Sequence, residues 1–519
     1  MYLTQGLHRC MQQTPDSRAT VFRGRTRTFR ELHGRVARLA GALQAIGMAP
    51  GDRVSMLALN SDRYIEYMLG VWWGGGVLNP VNIRWSVPEI VYSLDDCDTG
   101  ILIVDDQFLP MVPGILAAAK RLPHVIYAGE GRAPDGMLDY EAMIDAATPV
   151  ADMFRGGQDL ASIMYTGGTT GKPKGVMQTH LNLWASAVSR MAEYREGQRT
   201  FVSLHVAPLF HTAAMARAVG HIVAGDTQVI EPGFVPADVL KTVAREQIEE
   251  LLLVPTMLQA LLADPTFGQH DLSSLQRIYY GASPISAGLL DRALAALPDI
   301  DFFHAYGMTE ASPLITVNPP ANHSHEARAS GLYRSAGRAS LGVTMRIVDP
   351  DGNEVPRNTV GEIVVLGANI TSGYWNRPKE TAEALRNGWL HTGDGGYMDD
   401  DGYLFIVDRL KDMIVTGGEN VYSAEVESVL SLHPEVATCA VIGIPDTNWG
   451  EAVHAVVVPH AGKTPSETSL REHCRAALAN YKCPKSFEFR TEMPLSAAGK
   501  ILKRDLRDQH WQGQARQVS

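Results

Sequence analysis

The run Tyr165-Thr166-Gly167-Gly168-Thr169-Thr170-Gly171-Lys172-Pro173-Lys174-Gly175 gathers hydroxyls, glycines and lysines directly after an apolar stretch. Glycines let a backbone approach a ligand closely and present its N–H groups, three threonines add hydroxyl donors, and two lysines add positive charge. That combination suits a polyphosphate. A solvent-facing turn would gain nothing from it. A Walker loop, GxxxxGK[ST], needs glycine where Thr166 stands and Ser or Thr where Pro173 stands, so this is a phosphate loop of another kind.

Further polar and glycine-rich segments follow in order: Pro208-Leu209-Phe210-His211, Gly281-Ala282-Ser283, Tyr306-Gly307-Met308-Thr309-Glu310, Gly361-Glu362, and Gly388-Trp389-Leu390-His391-Thr392-Gly393-Asp394. Asp408-Arg409-Leu410-Lys411-Asp412, Gly417-Gly418-Glu419-Asn420-Val421-Tyr422 and Gly499-Lys500 complete the series. The ordered set resembles the motifs of the adenylate-forming superfamily, which includes acyl-CoA synthetases, firefly luciferase and the adenylation domains of peptide synthetases. The likeness spans nearly the whole chain.

The resemblance implies ATP-driven joining of a carboxylate to AMP with release of pyrophosphate, then transfer of the acyl group to a thiol. Two anions must meet in the first step, so cationic stabilisation of the transition state is its main demand. Lys500 resembles the catalytic lysine that bridges the carboxylate and the α-phosphate. Glu310 resembles the magnesium ligand, and a hard carboxylate oxygen is what Mg2+ prefers. Thr309 would contact the α-phosphate and Thr166 would help hold metal and phosphates, with Gly167, Gly168, Thr169, Thr170 and Lys174 completing the phosphate site. The backbone of Gly281, Ala282 and Ser283 and the Tyr306-Gly307 pair resemble the two sides of an adenine slot, and Asp394 and Arg409 the ribose contacts. His211 resembles the gate between the ATP and acyl pockets. Gly417, Gly418 and Glu419 resemble the loop that borders the pantetheine of coenzyme A, and Lys411 matches the hinge between domains. Without the resemblance, Lys500 would read as a solvated lysine, Asp394 as a turn residue and His211 as a core histidine.

Three positions depart from the family pattern. Gly168 stands where serine is commonest, Val415 where many relatives carry lysine, and Ser423 where proline is frequent, which is expected to loosen that loop. The acid-binding pocket implied by the resemblance is formed by His211, Ala213, Ala214, Met215, residues 281–283, His304, Ala305 and Pro313. Its small side chains, and the lack of lysine or arginine in these stretches to meet a second carboxylate, favour an apolar monocarboxylic acid, medium-chain aliphatic or aryl.

These residues need a large scaffold, and 519 residues supply more than one domain. Helix and strand patterns alternate through the first 150 residues. Thr28 with Glu31 forms a capping-box signature, strand-like runs occupy 54–59, 101–104 and 125–127, and 68–81 reads as a buried helix running into a loop. Further buried strands are expected at 162–165, 201–206, 228–230, 251–254, 278–280 and 302–305, most of them running into glycine, proline or a polar loop. Ligands of α/β sheets bind beyond such strand ends. The expected fold is therefore α/β: a large multi-subdomain α/β N-terminal domain over 1–408, β-rich from about 337 to 408, and a small mobile α+β C-terminal domain over 409–519. Only the tail after Gln509 reads as frayed.

A net charge of −11 gives no general field for a polyanion, so no nucleic acid is expected. Five scattered cysteines without CxxC spacing suggest neither disulfides nor a thiolate zinc site, and a reducing cytoplasm is expected. No signal-peptide core is seen at the N-terminus, and no run approaches the length of a membrane span. The oligomeric state is not fixed by the sequence, and a homodimer stays open. The reading is an AMP-forming acid:CoA ligase using ATP, Mg2+ and coenzyme A. Its rivals are transfer of the acyl group to a carrier protein or to oxygen, a kinase or ATPase built on the same loop, and a non-catalytic nucleotide-binding module.

Overall fold

The computed structural model describes residues 1–166, 173–194, 199–283, 285–324, 327, 329–410, 412–496 and 499–511. The expected αβ alternation builds two large sheets. In spatial order, the first runs Leu138–Asp139, His124–Tyr127, Ile101–Val104, Arg53–Leu57, Val77–Pro80, Leu160–Thr166 and Lys174–Thr179. All its pairings are parallel except the last, an antiparallel hairpin whose connection is the phosphate loop. The second has nine strands, with a parallel centre formed by Asp301–Gly307, Arg277–Gly281, Glu250–Leu253, Val202–His205, Thr227–Ile230 and Arg18–Phe22. Antiparallel strands close both of its edges.

Local sequence explains the elements. Thr28 caps the helix Phe29–Ala45 through the full reciprocal box with Glu31. Leu32, Val36, Leu39 and Leu43 of that helix are buried at helical spacing. One apolar cluster then joins helices of both sheets: Leu39 and Trp72 from the first, Leu183 from the helix after the phosphate hairpin, and Met215 from the second. The two sheets thus share a core and hold a fixed relation.

One stretch differs from expectation. The helix Asp62–Trp73 ends at a glycine turn, and Val77–Pro80 is then a fully buried strand, not a loop. Asn79 makes this possible, because its side-chain amide reaches Ser55 Oγ at 2.8 Å and Cys97 Sγ at 3.2 Å inside the sheet. Pro80 sits at the strand's last position, where a missing N–H costs least.

A third, antiparallel sheet contains Val343–Val348, Gly361–Gly367, Trp389–Met398, Leu404–Arg409 and Leu385–Arg386. Beyond it a smaller unit has its own sheet and its own core, with Ile414, Val426, Leu430, Val441, Leu470 and Phe487 packed together. Of the tail after Gln509, residues 510 and 511 are described, with Trp511 Nε1 donating to the Gly443 carbonyl at 3.0 Å, and 512–519 lie outside the described residues. All five cysteines are buried and unpaired. Among the described residues, no helix is long and apolar enough to cross a membrane.

Candidate active site

Strand ends from all three sheets of the larger part of the chain supply the site. Leu160–Thr166 and Lys174–Thr179 carry the feet of the phosphate loop, and Thr166 Oγ1 donates to the Lys174 carbonyl at 3.4 Å. Gly167, Gly168, Thr169 and Thr170 lie outside the described residues. The hairpin is tied to the second sheet by Gln178, whose Nε2 donates to the Thr309 carbonyl at 2.9 Å while its Oε1 accepts from Ser162 at 2.9 Å.

Thr309 and Glu310 form a single turn of 3-10 helix, Thr309–Ala311, after the strand Asp301–Gly307. Gly307 is required there, because a Cβ would collide with the Pro313 carbonyl. Glu310 is buried, and its Oε1 accepts from the Tyr374 hydroxyl at 2.8 Å. That bond fixes the carboxylate while using one of its oxygens, so the other remains chemically competent for a hard cation. The Lys174 ammonium lies 5.3 Å from the Tyr374 ring centre. Lys174, Tyr374 and Glu310 therefore form one continuous polar line. Tyr374 carries no sequence signal beyond the glycine before it, and pattern reading overlooked it.

A second polar cluster is built around Asp394. Tyr306 donates to Asp394 Oδ2 at 2.7 Å, and Arg409 Nε meets Asp394 Oδ1 at 2.6 Å. Burial, then the adjoining Asp394 carboxylate, push the Tyr306 phenol well above its ordinary range, so it stays a neutral donor. The Asp394 carboxylate raises the Arg409 guanidinium in turn. The turn bearing Asp394 is held by Glu362, which accepts from the Gly393 N–H at 3.1 Å and pairs with His391 at 2.7 Å. Opposite, Gly281 pairs with Ala305, and Ala282 holds φ 63°. A left-handed alanine is strained and persists where surrounding contacts impose it.

Family-model comparison matches residues 7–375 to the AMP-binding enzyme family and residues 425–500 to the AMP-binding enzyme C-terminal domain. The chain belongs to the AMP-binding enzymes. It is 41% identical over 503 residues to a feruloyl-CoA synthase of an Amycolatopsis species, covering 96% of each chain. It is 38% identical to a fatty acid–[acyl-carrier-protein] ligase, ScoC, of Streptomyces coeruleorubidus, over 98% of this chain and 96% of that one. Among solved structures, the anthranilate CoA ligase AuaEII in complex with anthranoyl-AMP superimposes with a TM-score of 0.90 at 28% identity, over 98% of this chain and 97% of that one.

In this AMP-binding enzyme the C-terminal unit brings Lys500 to the larger part of the chain. Arg84 NH1 donates to the Ser496 carbonyl at 3.0 Å and Thr256 Oγ1 to the Gly499 carbonyl at 3.3 Å, one on each side of the loop that presents Lys500. Gln259 Nε2 adds a bond to the Ala437 carbonyl at 3.1 Å. Burial, aided by the Lys500 ammonium, pushes the His211 imidazole down to about 4. His211 begins the helix Thr212–Ala224, with Nδ1 accepting from the Ala213 N–H at 3.4 Å, and Ala213, Ala214 and Met215 form its first turn. His304 stacks on Tyr280 with ring centres 4.8 Å apart, one residue before Ala305.

The hairpin residues Gly417, Gly418 and Glu419 are exposed, and Gly417 bonds to Trp449 of its own unit at 2.8 Å. Both glycines have positive φ, as a tight hairpin turn of this kind demands. Lys411 lies outside the described residues. Ser423 does not loosen its loop. Its N–H and its hydroxyl both reach Asp408 Oδ2 at 2.6 Å, and Lys503 donates to its Oγ at 2.6 Å. Proline has neither an N–H nor a hydroxyl and could make none of these bonds.

Neutral buried histidines give the fold a pH signature. His180 and His323 are pushed down to about 4 and His205 to about 3, chiefly by burial. The unfolded chain therefore binds more protons than the folded one below about pH 6.5, and stability falls as pH drops from there toward 4. The slope is about 1.4 kcal/mol per pH unit for each such histidine. The urea midpoint is expected to drop clearly between pH 7 and pH 5; a flat midpoint across that interval would contradict the neutral assignment.

Proposed function

We propose that the protein is an AMP-forming acid:CoA ligase that activates an apolar monocarboxylic acid, with aryl acids favoured. The observation that carries the reading is the Tyr306–Asp394–Arg409 cluster and the Tyr374-fixed Glu310 on strand ends of the larger part of the chain, with the loop before Lys500 docked onto that part by Arg84 and Thr256. A reaction that must join two anions needs a cation at that junction. The aryl preference rests on the small side chains Ala213, Ala214 and Ala305, and on kinship with a feruloyl-CoA synthase.

In this reading Tyr306, Asp394 and Arg409 hold the nucleoside, with the backbone of 281–283 on the other side of the base. Thr309, Lys174 and the phosphate loop hold the phosphates. Glu310, steadied by Tyr374, and Thr166 would hold Mg2+, which supplies charge neutralisation of the phosphates when bound. Lys500 stabilises the charge that builds between carboxylate and α-phosphate, and neutral His211 adds no competing charge at the pocket mouth.

Thioester formation needs a different arrangement. Lys500 covers the face of the acyl-adenylate that a thiol must approach, and the exposed 417–419 hairpin has to replace it. The C-terminal unit must therefore rotate, with Lys411 as hinge. A second reading, transfer to a carrier protein, is supported by the likeness to ScoC.

Pyrophosphate release against a panel of acids, with CoA or a carrier protein as acceptor, tests the assignment. Acid-dependent pyrophosphate and AMP, aryl and other apolar monoacids ahead of diacids, and acyl-CoA as product are expected. ADP formation would overturn it, and preferred turnover of diacids would overturn the pocket. Lys500→Ala is expected to lose about a hundredfold to a thousandfold in adenylation while thioester formation from presynthesised acyl-adenylate stays nearly intact. Equal loss in both half-reactions would rule out the assigned role. Lys411→Pro, with φ locked near −65°, is expected to keep acid-dependent pyrophosphate release and lose most acyl-CoA formation, with Lys411→Ala close to wild type. Normal acyl-CoA formation by the proline variant would rule out a hinge there.

A further inference from the structure

The C-terminal unit holds a second cluster of metal-type ligands, remote in sequence from the nucleotide motifs. His454 lies on the strand Gly450–Pro459, Glu488 on the neighbouring edge strand Ser486–Phe489, and His510 just past the short helix Lys503–Asp508. One ligand atom from each can be chosen so that all three lie within 4.8 Å of one another. His454 is the anchor. Its side chain is 6% exposed, its Nδ1 shares a 2.7 Å hydrogen bond with Ser486 Oγ, and its Nε2 is buried with no hydrogen-bond partner. Nε2 sits 3.8 Å from Glu488 Oε2, too far for a hydrogen bond, and His510 Nε2 sits 4.0 Å from the same oxygen.

A buried imidazole nitrogen with nothing to bond costs free energy, and here it faces a carboxylate and a second imidazole. We propose that His454, Glu488 and His510 form a binding site for a zinc-class divalent cation, separate from the magnesium of the nucleotide site. Two imidazoles and one carboxylate are a borderline-soft set that suits Zn2+ and its neighbours over Mg2+. Metal–ligand bonds of 2.0–2.1 Å place tetrahedral ligands roughly 3.3 Å apart. The two gaps to Glu488 must close by roughly 0.5 and 0.7 Å and the gap between the histidines, at most 4.8 Å, by up to about 1.5 Å, and rotation of the partly exposed His510 and Glu488 side chains can supply that. The outer contacts fit as well. The Ser486 bond orients the buried imidazole, and Arg490 holds Glu488 through Oε1, which leaves Oε2 to turn toward the histidines. Burial also depresses the His454 imidazole, which keeps its lone pair available. Arg490 sets part of the carboxylate charge against the cation, and water completes the coordination, so this is a modest-affinity site.

The buried set His221, Asp226 and Glu250 has similar spacing but a different character. His221 is bonded to Asp226 at 2.7 Å and Ser203 at 3.0 Å, and Arg217 already pairs with Glu250 at 3.0 Å. Its ligands are used and its cation is built in. The C-terminal site, in contrast, would clip the last described helix to the sheet. That helix follows the Lys500 loop and bears Arg507, which pairs with Asp412 near the domain junction at 2.8 Å.

The test is titration of the untagged, metal-free full chain with Zn2+ and with Co2+, without nucleotide. It is read by calorimetry, by the visible absorption of low-coordinate Co2+, and by melting temperature. One equivalent is expected to bind, to raise the melting temperature and to resist excess Mg2+. His510→Ala and Glu488→Gln, both at the surface, are expected to melt like wild type without metal and to bind at least about tenfold more weakly. His460→Ala, an exposed histidine of the same unit, should bind like wild type. Unchanged stoichiometry and affinity in His510→Ala and Glu488→Gln, or no saturable binding by the wild type, would overturn the site.

Discussion

The carboxylate of Asp394 holds the site together. It lies on a strand of the third sheet, accepts from Tyr306 at the end of a central strand of the second, and pairs with Arg409 at the last residue of the neighbouring strand Leu404–Arg409. Two sheets thus meet at one buried charge. A buried carboxylate without partners is costly, so each partner is needed to keep the others where they are. The same contacts reach Arg409, two residues before the Lys411 position proposed as hinge.

The rest of the site follows from how sheets end. Parallel strands deliver their carboxyl ends to one edge, and the motifs beginning at Thr166, Gly281 and Gly307 all occupy such ends. Gln178 then bridges the two sheets by binding the backbone of the Thr309 turn, so phosphate hairpin and metal-type carboxylate keep a fixed spacing. Lys500 alone comes from a unit with its own core, and it is held at the site by a few backbone-directed bonds from Arg84, Thr256 and Gln259. Few bonds of modest strength would suit the proposed domain rotation, which makes and breaks this contact.

Much of this was legible in the sequence, for reasons that can be named. The capping box at Thr28 and the strands at 101–104 and 125–127 depend on neighbours a few residues apart, where local physics decides. The strand Val77–Pro80 was not legible, because glycines and a proline mimic a loop and the amide that rescues it reaches residues about twenty positions away in either direction along the chain. Ser423 was misjudged for a similar reason. Its value lies in Asp408 and Lys503, which the fold brings to it from either side.

The sequence by itself determined the chemistry: which motifs occur, in which order, and therefore a nucleotide-dependent enzyme of the α/β class. Tertiary structure alone decided that Tyr374 steadies Glu310, that Arg84 and Thr256 hold the loop before Lys500, and that His454, Glu488 and His510 converge. The physical reason is range. Backbone preference and hydrophobic period act over a few residues, whereas a side chain's charge state and partners depend on groups tens to hundreds of positions away, brought close by folding.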